Sequence, residues 1–63
     1  MGRVFQLRAK VNINSRIKKG FVFNCPSTQQ NTPLDSEIKK ALEAIGGKEA
    51  AMDACYSKCE ILS

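Results

Sequence analysis

The chain has 63 residues, 10 basic and 6 acidic side chains, three Cys, no His, no Trp and a formal charge of +4. A chain of this length forms at most one domain and buries only roughly 60% of the surface its unfolded form exposes. That excludes a dinucleotide-binding fold, a two-domain cleft and a large substrate pocket. The lack of His removes the commonest general base and the commonest metal ligand.

The first element is marked by strict alternation. Phe5, Leu7, Ala9, Val11 and Ile13 fall on one face, and Gln6, Arg8, Lys10, Asn12 and Asn14 on the other. A period of two predicts a strand with one face on a core and one in water. The turn formers of Asn12–Ser15 end or bend it. Gly20 then suggests a turn or bulge, because glycine accepts positive φ. A second strand follows, with Phe21, Phe23 and Cys25 on its inner face and Val22 and Asn24 outside, while Ile17 anchors the connection between the strands. Pro26 closes this strand, since proline gives no donor to a ladder. Residues 26–33 form a polar loop and the best candidate for local mobility.

A helix comes next. Thr32 is its expected N-cap, Pro33 suits the first helical position, and Asp35 takes the place of the usual Glu or Gln in a capping box. Leu34, Ile38, Ala41, Leu42 and Ile45 make one apolar stripe, and Gly46-Gly47 ends the helix. Lys48–Ala54 reads as a short helix or helical turn. Residues 56–62 alternate again and read as a third strand. The competing reading, a continuous helix over 48–61, gives a poorer stripe.

The order β-β-α-β predicts a small α+β domain over residues 1–63, a three-stranded sheet with one amphipathic helix packed on one face. The first strand is central. The expected core is Phe5, Leu7, Ala9, Val11, Ile17, Phe21, Phe23, Leu34, Ile38, Leu42, Ile45, Met52, Cys59 and Ile61. Such a sheet keeps two open edges, which invite pairing with another chain. A single core this small rarely supplies more than ~3–5 kcal/mol, so a homo-oligomer or a protein partner is physically sensible.

The run RVFQLRAKVNINSRIKKGFVFNC, a helix and a closing YSKCEIL strand together resemble short uncharacterised proteins of gut bacteria and their phages or mobile elements. The likeness covers most of the chain and rests on a turn and a pattern. It implies a phage or mobile-element context and carries no activity or site residue.

Charge is unevenly placed. Residues 1–31 hold Arg3, Arg8, Lys10, Arg16, Lys18 and Lys19 and no acid; residues 32–63 hold four Lys against six acids. Arg8 and Lys10 share the polar face of the first strand, and Arg16, Lys18 and Lys19 cluster at the adjoining turn. These five are the candidate nucleic-acid-binding residues, because phosphate contacts need such cations. Only Tyr56 is free to stack on a base, and the plainer reading is a solvated sheet face.

An odd cysteine count argues against a disulfide framework. Cys25, Cys55 and Cys59 leave zinc one ligand short unless Asp53 joins them. Free Cys is more often a small buried hydrophobe, and the pattern puts Cys25 and Cys59 in that role. No Ser/His/Asp or Cys/His set and no phosphate-cradling loop is present, so the expectation is a non-enzymatic protein without cofactor or metal. No apolar run reaches the ~18 residues of a membrane span, and the alternating start MGRVFQLRAK, which has no continuous apolar stretch, is not expected to act as a signal peptide, so the expected location is the cytoplasm or a virion interior. The first functional reading is an interaction or assembly protein that uses its sheet edges. The alternative is a nucleic-acid-binding accessory module.

Overall fold

Alternation in the first segment produces β1 (Arg3–Ala9), with Phe5, Leu7 and Ala9 buried and Val4, Gln6 and Arg8 exposed. The computed structural model describes residues 2–63. β2 (Val22–Ser27) pairs antiparallel with β1, Phe5 opposite Cys25 and Leu7 opposite Phe23. The short β3 (Cys59–Ile61) pairs antiparallel on the other side of β1, Arg8 opposite Glu60. The sheet order is β2-β1-β3, so the longest strand lies in the middle. The helix α1 (Asp35–Gly46) packs over β2, and the single turn α2 (Lys48–Ala51) packs against α1. This is the expected three-stranded α+β fold. No helix of the described residues is long and apolar enough to cross a membrane.

Several boundaries move, each for a visible reason. β1 ends at Ala9, where the chain bends through Lys10 and Val11. Val11 therefore turns outward, 47% exposed, and Ile13 returns to the core through a turn closed by its N–H on the Ile17 carbonyl. Asn14 holds that turn. Its Oδ1 accepts from the N–H groups of Arg16 and Ile17, and its Nδ2 donates to the carbonyls of Ala50 and Met52 at 2.8 Å. The side-chain amide so ties the β1–β2 connection to α2.

Gly20 takes φ 93°. It donates to the Ala9 carbonyl while Ala9 donates to that of Phe21. Two residues thus oppose one, the geometry of a bulge that opens with a left-handed glycine. β2 does not stop at Pro26. It runs to Ser27, with Pro26 opposite Val4, because the sheet edge tolerates a proline whose missing N–H faces outward.

The helix begins later than Thr32 implies. Pro33 is buried, Leu34 is the extended N-cap residue, and α1 starts at Asp35. Leu34 has no side-chain acceptor. Glu37 supplies the reciprocal half of a capping box by accepting from the Leu34 N–H at 2.9 Å. The same carboxylate accepts from Ser27 Oγ, the Thr28 N–H and Thr28 Oγ1. The polar 26–33 loop is thereby pinned at both ends. Asp35 plays no capping-box part and instead accepts from the Tyr56 N–H. That contact helps set the single 3-10 turn Tyr56–Lys58, which shortens the third strand from the expected 56–62 to Cys59–Ile61.

The core is narrower than the stripe predicts. Phe5, Leu7, Ile17, Phe23, Ile38 and Leu42 are buried, with Phe21, Ala41 and Ile61 half-buried against them. Leu34, Ile45 and Met52 are exposed. Leu34 precedes the helix, Ile45 lies in the last turn of α1, and Met52 follows α2 on extended backbone. Ala50, Ala51 and Ala54 fill that end instead. Their short side chains let α2 approach α1 so closely that a Cβ on Gly46 would stand 2.8 Å from Ala50 Cβ.

Two outcomes follow for stability. Leu42→Ala should cost about 2–5 kcal/mol in urea unfolding, whereas Ile45→Ala should stay within about 0.5 kcal/mol; equal effects would contradict the narrow core. Four hydrogen bonds to its carboxylate hold Glu37 down to about 2 from an ordinary 4.5, the one from Ser27 counting most. A lowered folded-state value stabilises the fold above pH 4.5 and loses that contribution as pH falls toward 2. Glu37→Gln should lower the melting temperature at pH 7 and flatten its dependence between pH 4.5 and 2.

Candidate functional site

One layer of helix covers one face of the sheet. The opposite face lies open and carries Val4, Gln6 and Arg8 from β1 and Val22, Asn24 and Pro26 from β2, all exposed. Leu62, whose N–H donates to the Gln6 carbonyl, continues this face beside β3. Val4, Val22 and Leu62 are 60%, 45% and 43% exposed. They give the open face apolar ground between polar side chains.

The edges follow from hydrogen-bond parity. Gln6 and Lys10 bond toward the β3 side, and Ala9 bonds to Phe21 on the β2 side. The odd-numbered residues of β2 thus face β1, and Val22, Asn24 and Pro26 direct their backbone groups to the outer edge. Pro26 presents only a carbonyl there. Beside this edge runs a shallow, mainly apolar groove lined by Pro26 and, from α1, Glu37, Lys40, Ala41 and Ala44.

The five basic candidates do not form one patch. Arg8, Lys10 and Lys19 line a shallow depression with Ala9, Gly20 and Glu60. Arg8 lies opposite Glu60 in the register and its guanidinium is ion-paired with that carboxylate. Arg16 points away to α2, where it meets Glu49 at 3.0 Å. This pair is exposed on both sides, the kind worth about 0–1 kcal/mol. Lys18 is exposed outside the depression. Among the described residues, Lys10, Lys18 and Lys19 form no ion pair. The expected +6 of the N-terminal half is therefore met locally by two carboxylates from the C-terminal half. Tyr56 packs against the core, half-buried, so it offers no free stacking platform.

Cys25 and Cys59 are buried core fillers, and Cys55 is half-buried with its Sγ 3.0 Å from Ser57 Oγ. Burial raises the Cys25 thiol to about 11, helped by the Glu37 charge, and pushes the Cys59 thiol up as well. Both are poor nucleophiles in this state. Among the described residues, no three His, Cys, Asp or Glu side chains gather to hold a metal ion.

Two features of the site had only faint traces in the sequence. The β2 edge depends on sheet order and parity, and the groove depends on where α1 lies. Glu37 left a clue in the hydroxyl pair Ser27-Thr28, although nothing local linked them to a residue in the first turn of α1. Compared with known proteins, the chain matches no family model, no curated protein and no solved structure.

The Arg8–Glu60 pair gives the site its own check. Glu60→Gln should leave Arg8 uncompensated and strengthen retention on a cation-exchange column more than Glu43→Gln, which removes the same charge from an exposed carboxylate that forms no ion pair among the described residues. Equal retention of the two variants would mean that the pair does not shape the surface.

Proposed function

We propose that this chain is a small non-enzymatic interaction protein that associates with other polypeptide chains through the uncovered side of its sheet. The supporting observation is the open face, where Val4, Val22 and Leu62 stay exposed beside an unpaired β2 edge. Apolar side chains on a face with no second layer gain from cover, at about 25 cal/mol per Å² removed from water. The protein's own core gives the same incentive. Ala9, Cys25, Ala50, Ala51, Ala54 and Cys59 are small, so the interior contributes little per residue. Association of a thinly packed domain adds stability by mass action.

The second reading is nucleic-acid binding, supported by the grouping of Arg8, Lys10 and Lys19. It carries less weight because Arg8 and Arg16 are already paired with carboxylates, and phosphate contacts draw on unpaired cations.

Light scattering at low and high salt, with and without a short duplex DNA, separates the two. Association is expected to raise the mass above the 7.0 kDa chain at tens of micromolar, with or without DNA. Val4→Lys with Leu62→Lys should return it to that mass with an unchanged circular dichroism spectrum. A single-chain mass at every concentration, with a DNA complex that disappears at high salt and in Lys10→Glu, Lys19→Glu protein, would favour the second reading.

A further inference from the structure

We infer that the depression lined by Arg8, Lys10 and Lys19 binds a phosphate dianion, either inorganic phosphate or the phosphoryl group of a small monoester. The inference goes beyond the association reading and does not rest on it. Three observations carry it. First, the depression holds an excess of positive charge. Arg8, Lys10 and Lys19 line it against the single carboxylate of Glu60. That carboxylate is taken by Arg8. Neither lysine forms an ion pair among the described residues.

Second, the fold holds the two lysines side by side. Ala9 donates to the Phe21 carbonyl and Gly20 donates to that of Ala9. Lys10 and Lys19 therefore leave the bulge on neighbouring stretches of chain. Each is tied at its backbone, the Lys10 N–H to the Lys58 carbonyl and the Lys19 N–H to Asn12 Oδ1, both at 2.8 Å. Like charges facing across strands are destabilising. An anion between them replaces that repulsion with attraction. Third, Arg8 keeps donors to spare. Its Nε and one terminal nitrogen meet Glu60. Of the five N–H groups of a guanidinium, those of the other terminal nitrogen stay free among the described residues. Glu60 cancels the charge of Arg8 and fixes its plane without exhausting its fork. Point charges from lysine beside directed N–H groups from arginine suit a phosphate group.

Charge decides which kind of phosphate fits. Two uncompensated ammonium groups match a monoester, which carries about −1.5 to −2 at pH 7. A phosphodiester brings one charge, and a nucleic-acid backbone needs further cations along its path. The surface offers no such track, because Arg16 is turned to Glu49 and Lys18 stands outside the depression.

The test titrates the whole chain, 15N-labelled and at low ionic strength, with inorganic phosphate, phenyl phosphate and dimethyl phosphate. The two dianions should shift Lys10, Lys19, Gly20 and the Arg8 Nε signal and saturate at millimolar concentration. The diester should bind at least tenfold more weakly. Lys10→Gln or Lys19→Gln should weaken phosphate binding at least fivefold with an unchanged circular dichroism spectrum. Lys18→Gln removes the same charge outside the depression and should change it less than twofold. Equal losses in Lys18→Gln and Lys10→Gln would overturn the inference in favour of diffuse attraction to net charge. Equal binding of the diester, or no shifts at tens of millimolar phosphate, would also overturn it. A duplex DNA that binds more tightly than phenyl phosphate and shifts Arg16 and Lys18 as well would overturn it in favour of nucleic-acid binding.

Discussion

The structure depends on a shortage of layers. One helix, one helical turn and three strands bury one face of one sheet, and these elements leave the other face without a helical layer. Everything distinctive follows from that limit. Phe5, Leu7 and Phe23 meet Ile38 and Leu42 in a core one side chain deep, and alanines and cysteines close its margins. The far face keeps Val4, Val22 and Leu62 in water. Here they are the surface on which association is proposed.

Polar joints hold the thin sandwich together where apolar area is scarce. Asn14 uses its amide oxygen and nitrogen together to bind its own turn and the end of α2. Glu37 binds the end of β2, the start of the loop and the start of α1 through one carboxylate. Such groups stabilise because each lone pair or N–H meets a partner, and leaving one unmet would cost about 1–3 kcal/mol. Both joints connect segments distant in sequence, and they close the two connections that flank β2.

The basic residues show how folding redistributes charge. The N-terminal half carries six cations without an acid, yet β3 brings Glu60 to Arg8 and α2 brings Glu49 to Arg16. Three exposed lysines remain, and only Lys10 and Lys19 share a depression with Arg8. On the opposite flank, α1 covers β2 closely enough to leave a groove beside its edge. These two flanks offer a partner different chemistry, cations at one end and small apolar side chains with a backbone row at the other.

The chain's own pattern determined the fold class, the central first strand, the positive φ at Gly20 and the burial of Cys25 and Cys59. Alternation and helical spacing record which face of each element meets the core, and those signals are local. The tertiary structure decided where the elements stop and what they meet. Val11 continues the alternation but follows the bend, so it leaves the core. Leu34 continues the stripe but stands before the helix on extended backbone, and Ile45 continues it into the last turn of α1, where it is exposed. Pro26 looks like a strand terminator until sheet order places it on an edge, where a missing donor is harmless. The pairing of Arg8 with Glu60 and the gathering of Ser27, Thr28 and Leu34 on Glu37 join residues that no periodicity relates. Contacts of that kind are made by the packing of distant segments, and only the folded chain brings them within reach.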